Sequence, residues 1–343
     1  MRIATWNVEW FTRLFGEGDR LIMDAGWSGR HDVTRAAQLN AIARVLAAID
    51  ADVILINEAP DTGRRRNSGR ALENFAGAFN LLCRRALCGF PSQTQQEITF
   101  LYDPDKVEMN HAPEGAPTGK HGSENAPRFD GVFRVDLGID DATDIVRFSK
   151  PPLEAVLSTR AGRAIRLIGV HPKSKALHGA RSRRARTRIS IANRRKQLAQ
   201  CIWIRARVLG HLRNRDPLIV LGDLNDGPGL DRYENLFGRS GVEIVIGPPS
   251  DAKLRLFDPH AVEAPLPGDG PKPATARFFT HEDGSHLDTL LDYIMVSCDL
   301  RPRARSWTIW HPFDNPRCRN EPDLQTALLT ASDHFPVTLD IDL

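Results

Sequence analysis

The chain has 343 residues, 41% hydrophobic and 26% charged, with a formal net charge of +3. That balance is ordinary for a soluble globular protein with a sizeable core, and it says little by itself about partners. No apolar run approaches the roughly 20 residues that a membrane-spanning helix needs. Five cysteines (Cys83, Cys88, Cys201, Cys298 and Cys318) show no metal-ligand spacing, so free thiols in a reducing compartment are expected. The first residues enter a strand-like segment at once, leaving no room for a signal peptide, and a cytoplasmic location is the default expectation. No linker long enough to divide two domains is visible, and one domain over residues 1–343 is expected.

Residues 2–8 read as a first strand, with Asn7 and Glu9 on one face and Trp6 and Val8 on the other. A Gly- and Asp-rich loop over 12–32 follows. Leu39, Ile42, Leu46 and Ile49 then have helical spacing within 33–49. Asp50-Ala51-Asp52 breaks that helix, and Val53-Ile54-Leu55-Ile56 forms a strand with Asn57 and Glu58 at its tip. Arg64-Arg65-Arg66 reads as a solvated turn. Further strands are expected at 99–102, 132–137, 153–158 and 165–170, with a surface loop lacking strong structure at 110–130. The strand at 165–170 ends in His171-Pro172-Lys173-Ser174, where Pro172 stops it and leaves His171 at its lip.

Residues 173–215 are the charge anomaly. Lys173, Lys175, Arg181, Arg184 and a further series of arginines follow one another, and Asp216 is the acid that ends the stretch. From Ser190 on, Ile191, Leu198, Ile202 and Leu209 indicate a helix packed by one face, with the preceding basic residues in an exposed loop and first turn. A solvated helix face would explain the charge. A density of cations this free of acids also suits a polyanion, since clustered Arg and Lys neutralise phosphates and release counterions.

The most telling stretch comes next. Leu218-Ile219-Val220-Leu221 reads as a buried strand; Gly222 ends it, and Asp223, Asn225 and Asp226 follow. Asp223 and Asn225 either form an ordinary Asx turn or present polar groups to a cleft from a rigid strand end. Beyond it, short strands are expected at Glu243–Ile246 and Ala276–Thr280, and another over 290–296 carrying Asp292. A surface loop with three prolines at 311–323 follows, and a final alternating strand after Ser332-Asp333-His334-Phe335-Pro336-Val337.

Polar residues thus recur at six strand ends: Asn7 with Glu9, Glu58, His171, Asp223 with Asn225, Asp292, and Asp333 with His334. Carboxylates and amides with two histidines and no thiolate suit Mg²⁺ or Mn²⁺ better than zinc. Like charges gathered in one cleft would repel unless a cation sat among them. No Gly-x-Ser-x-Gly elbow, Walker loop or Gly-x-Gly-x-x-Gly occurs, which argues against acyl transfer and a nucleotide cofactor.

The motifs also follow a recognisable order. Thr-Trp-Asn-Val-Glu (5–9), Ile-Asn-Glu (56–58), Gly-Val-His-Pro-Lys-Ser (169–174), Gly-Asp-Leu-Asn-Asp (222–226), Leu-Asp-Tyr-Ile (291–294) and Ser-Asp-His-Phe-Pro-Val (332–337) resemble the endonuclease/exonuclease/phosphatase family, the DNase I-like phosphoesterases. The resemblance implies a four-layer α-β-β-α sandwich of two packed mixed sheets with the site at one edge. It implies Glu58 as principal metal ligand with Asn7, Glu9 and Asp333 nearby, and Asp223 orienting or deprotonating the attacking water. Asn225 would hold a phosphate oxygen, His334 polarised by Asp292 would pair with the phosphate, and His171 would contact it from the other side. Lys173, Ser174, Lys175, Arg181 and Arg184 are the candidate substrate contacts. Two departures stand out: Asn57 precedes Glu58 where the family more often has Gln. Lys150 also replaces Arg before Pro151-Pro152-Leu153 and cannot make a bidentate phosphate contact.

The expectation is therefore a metal-dependent nuclease cleaving DNA or RNA, with no membrane and no protein partner. The alternatives are a phosphatase or phosphodiesterase of a small molecule or lipid headgroup, and a catalytically silent scaffold.

Overall fold

The computed structural model describes residues 1–138, 143–176, 182–229, 238–262, 272–280 and 284–343. Apolar runs become two large sheets. The first contains β1 (Arg2–Asn7), β2 (Val53–Ala59), β3 (Arg85–Cys88), β4 (Glu97–Tyr102), β14 (Ala304–Ile309) and β15 (Val337–Ile341), in the order β14-β15-β1-β2-β4-β3. The second contains β5 (Val107–His111), β8 (Leu153–Thr159), β9 (Ala164–Val170), β10 (Leu218–Asp223) and β13 (Asp292–Val296), in the order β13-β10-β9-β8-β5. Both are mixed: β1 with β2 and β9 with β10 are parallel, and the other pairings in these sheets are antiparallel. Two further antiparallel pairs, β6 (Phe133–Asp136) with β7 (Thr143–Val146) and β11 (Ala276–Thr280) with β12 (Ser285–Thr289), stand outside the large sheets.

The helices are α1 (Arg35–Ile49), α2 (Ser68–Ala78), α3 (Arg183–Asn214), α4 (Gly241–Ile246), α5 (Pro259–Val262), α6 (Pro316–Asn320) and α7 (Pro322–Ala331). Period-two alternation separates three apolar layers. Ile3, Leu55, Phe100, Leu167, Leu221 and Ile294 fill the space between the sheets. Trp6, Ile42, Phe75 and Leu328 join the outer face of the first sheet to α1, α2 and α7. Val220, Tyr293, Trp203 and Val245 join the second sheet to α3 and α4. The result is the expected α-β-β-α sandwich, and burying each such side chain is worth roughly 1.5–3 kcal/mol.

Asp50 ends α1 as expected: it sits in the left-handed region at φ 51°, and its N–H closes on the Leu46 carbonyl. Elsewhere the chain departs from its sequence reading. The helix expected from Ser190 begins at Arg183, because the Ser182 hydroxyl caps it at Ala185 N and the arginines between are good helix formers. Glu243–Ile246, expected as a strand, lies in α4. Ser240 and Glu243 form a reciprocal capping box there, which turns a short apolar run helical. The proline-rich 311–323 segment is not simply loop: Pro316 and Pro322 open α6 and α7, where a missing N–H costs nothing. No helix among the described residues is long and apolar enough to cross a membrane.

Candidate active site

Parallel pairing delivers the C-terminal ends of β1, β2, β9 and β10 to one edge, and β13 begins there. Asp223 and Asp292 are paired across β10 and β13. Together with the turn before β15, these ends surround a cleft of about 790 Å³. It is lined by Asn7, Glu9, Glu58, His171, Asp223, Asn225, Asp333 and His334. Asp292, buried behind His334, completes the six strand ends.

Two backbone devices aim these groups. The β2–β4 register shifts between Asn57 and Ala59, and Glu58 on that bulge has φ 60°. A left-handed conformation costs a non-glycine residue roughly 1–2 kcal/mol. The bulge re-aims the carboxylate into the cleft. Gly222, at φ 135°, lies so close to the Val170 carbonyl that a Cβ would collide with it, and this lets β10 turn its tip inward. Asn57, fully buried, then staples the two sheets: its amide donates to Val170 O at 3.0 Å and accepts from Asp223 N at 3.3 Å.

Asp223 is held from several sides. Asn7 Nδ2 donates to its Oδ2 at 3.0 Å, and the Asn225 backbone N–H donates to its Oδ1 at 2.7 Å. That second bond is an Asx turn, with Asn225 at φ 52° and its amide donating to Pro172 O at 3.1 Å. The turn and the cleft-facing strand end are therefore the same feature. Burial, with Asp292 nearby, raises the Asp223 carboxyl to about 7.

His334 Nδ1 lies 2.8 Å from Asp292 Oδ2, both residues buried. Burial alone would lower its pKa, but Asp292, Asp223 and Asp333 outweigh it and hold the imidazole well above its ordinary value. His171 goes the other way: burial, the Lys150 ammonium and His334 push it well below, so it is neutral. Its Nε2 lies 2.9 Å from Lys150 Nζ and 3.5 Å from Asp223. Burial lowers Lys150 to about 8, opposed by Glu58 and Asp223.

Glu58 is raised by burial, with Lys150 and His334 pulling it down. Burial and Asp333 raise Glu9 to about 7, against its ion pair with Arg30. Asn7 Oδ1 is buried without a hydrogen-bond partner among the described residues. Mutually repelling carboxylates and an orphaned amide oxygen form the hard-oxygen donor set that a divalent cation satisfies. Asp223, Asp292 and His334 also place one ligand atom each within 4.8 Å of one another. That trio suits a metal less well, since His334 Nδ1 is already engaged by Asp292 and the surrounding carboxylates favour the protonated ring.

Among the expected substrate contacts, Lys173 and Ser174 line the cleft, as does Lys175, which is ion-paired with buried Asp226. Arg184 lies on the exposed first turn of α3 and is not part of the cleft lining, and Arg181 lies outside the described residues. The basic run is not one polyanion surface. Arg195 pairs with Asp144, Arg207 pairs with Glu154 inside the protein, and Arg205 donates to the Leu254 carbonyl. The acids missing from the run come from distant β7 and β8. Arg186 and Arg188 are exposed.

Lys150, Thr94 and Gln96 also line the cleft, as do Trp10 and the β11–β12 residues Phe278 and Leu287. Lys150-Pro151-Pro152 was a visible signal; Phe278 and Leu287 carried none, because their short hairpin follows the Pro/Gly-rich 227–275 segment.

The profile of the Endonuclease/Exonuclease/phosphatase family matches residues 4–334. The chain belongs to this family. Its members are hydrolases acting on phosphoesters. Among curated proteins, no sequence matches. Solved structures share its fold across nearly its whole length. They include a mannosyl-6-phosphatase of Bacteroides thetaiotaomicron (TM-score 0.50, 13% identity, 100% of both chains). A 3′-5′ exonuclease of Neisseria meningitidis is equally similar (0.50, 14%, 100% of both). So is TDP2 of D. rerio complexed with a single-strand DNA product (0.51, 13%, 100% of this chain and 99% of that one).

Proposed function

We propose that the protein is a metal-dependent nuclease that hydrolyses phosphodiester bonds of nucleic acid. The observation that carries this reading is geometric: buried Asp223, held by Asn7 and the Asn225 backbone, faces one cleft together with His334, itself 2.8 Å from Asp292, and the Glu58–Asn7–Asp333 oxygen set. Lys150 and Lys173 add positive charge at that cleft, where Lys175 is ion-paired with Asp226.

Glu58, Asn7 and Asp333, with Glu9 beside them, would hold Mg²⁺ or Mn²⁺, whose charge offsets that of the phosphate and of the transition state. Asp223, fixed by Asn7 and by the Asn225 backbone, accepts a proton from the water that attacks phosphorus in line with the departing oxygen. His334 donates to a non-bridging oxygen as negative charge grows there, and Asp292 keeps the imidazole oriented and charged. Asn225 holds a second oxygen, and the Lys150–His171 pair faces the phosphate from the opposite wall.

The second reading, a phosphatase or phosphodiesterase of a small ester, draws support from the apolar Phe278, Leu287 and Leu291 along the cleft, which would suit a compact organic group. The two separate by hydrolysis of plasmid DNA, single-stranded DNA, RNA and bis-(p-nitrophenyl) phosphate. Each is assayed with Mg²⁺, with Mn²⁺ and with EDTA, beside Asp223→Asn. Metal-dependent polynucleotide cleavage lost in the variant is expected. Inert nucleic acids beside a hydrolysed small ester would overturn the nuclease reading.

A further inference from the structure

At the rim of the catalytic cleft, the 8–35 segment builds a stack of two indoles around one guanidinium. Arg13 Cζ lies 4.8 Å from the centre of the Trp10 ring and 5.1 Å from that of Trp27. Trp10 is 38% and Trp27 63% exposed, unusual for side chains of this size. Both are nonetheless held. The Trp27 indole N–H donates to Arg30 O at 2.7 Å, and Arg30 is itself anchored to Glu9. Trp10 occupies the left-handed region at φ 59°. Gly29, at φ 113°, packs so tightly that an added Cβ would come within 2.9 Å of Trp10 Cγ and 3.0 Å of Arg13 Cδ.

Arg13 has no carboxylate partner among the described residues, so its charge is spent only on the two rings. At its inner end the stack is continuous with the active site, because Trp10 lines the cleft beside Glu9. Exposed aromatic faces interleaved with an uncompensated cation are the elements that hold unpaired bases: the rings stack on them and the guanidinium offsets phosphate. A stack leading from solvent to the cleft suits a chain more than a compact ester.

We propose that Trp27, Arg13 and Trp10 form a base-stacking platform that leads single-stranded nucleic acid into the cleft. The proposal rests on the nuclease reading of the site. It makes the bases of the substrate, beyond its phosphates, a determinant of recognition.

The test compares wild type, Trp27→Ala and Trp27→Phe on oligo(dT), on an abasic-spacer oligomer of equal length, and on bis-(p-nitrophenyl) phosphate. Wild type is expected to prefer oligo(dT) to the abasic oligomer. In Trp27→Ala the ratio of oligo(dT) to small-ester kcat/KM should fall roughly five- to hundred-fold, the loss expected for one stacked base. Trp27→Phe should recover part of it. An unchanged ratio, or equal use of the abasic oligomer by wild type, would overturn the proposal. Tryptophan fluorescence in EDTA keeps the two readings apart. Quenching by oligo(dT) that weakens in Trp27→Ala supports the platform even if no polynucleotide is cleaved, in which case the nuclease reading alone fails. Absence of quenching in wild type overturns the platform.

Discussion

Arg207→Met tests whether the interior of the basic segment serves folding or substrate. Arg207 of α3 is ion-paired with Glu154 of β8, each side chain no more than 5% exposed. The guanidinium also donates to the carbonyls of Ala126 and Pro127 at 3.1 and 3.0 Å and lies 4.8 Å over Phe129. It thereby pins the 112–130 segment between sheet and helix. Removing one partner of a buried pair costs about 3–5 kcal/mol, a large part of the roughly 5–15 kcal/mol that hold a domain folded. The cost should depend on pH. Burial raises the Glu154 carboxyl from 4.5 to about 7 even with Arg207 opposing it, and without Arg207 it rises further. A folded-state pKa above the unfolded one leaves stability intact below about pH 4.5 and removes it as pH climbs through the folded value. The part of the penalty that comes from stranding Glu154 should therefore be small near pH 5 and grow as pH rises past 7, while the two lost carbonyl contacts cost the same at either pH, as read by urea unfolding. Adding Glu154→Gln removes the stranded charge and should recover a substantial share at pH 8. A loss under about 1 kcal/mol at pH 8, or a double variant no more stable than the single one, would refute the reasoning. So would a drop of about one in the salt slope of oligonucleotide binding, which would mark Arg207 as a phosphate contact.

Gly222→Ala should cost several kcal/mol in stability, since φ 135° and the Val170 carbonyl both oppose a Cβ; a variant of wild-type stability would show that β10 can shift freely. Glu58→Gln should abolish most of the upward shift in melting temperature that Mg²⁺ or Mn²⁺ produces, and an unchanged shift would place the cation elsewhere. Cys298 should be the thiol that reacts with Ellman's reagent in the folded protein. It is exposed, whereas Cys83, Cys201 and Cys318 are buried, and burial pushes Cys83 up to about 12. More than one fast-reacting thiol would contradict this.

Much of the architecture was legible because it is local. Four-residue apolar runs ended by Gly, Asp or Pro read as buried strands with polar tips, the run at 243–246 that Ser240 and Glu243 cap into α4 being the exception, and Asp50-Ala51-Asp52 reads as a helix end. Asn7, Glu58, His171, Asp223, Asn225, Asp292, Asp333 and His334 stood out for that reason, and the structure gathers them at one edge. What tertiary structure alone decided depends on groups far apart in sequence. Asn57 looked like a minor variation beside Glu58, yet it staples Val170 and Asp223 across the sandwich. The bulge that turns Glu58 inward arises from pairing with β4, which no local pattern specifies. The arginines of 173–215 looked acid-free because Asp144 and Glu154 come from other strands; charge counted along a chain misses partners supplied by packing. Trp10, Arg13 and Trp27 likewise carry no periodicity, and become one feature only when a glycine lets the 8–35 loop fold back on itself. Local chemistry dictates which elements form and what their tips can do. Long-range pairing dictates which tips meet, because only the folded chain brings their hydrogen bonds and charges within reach.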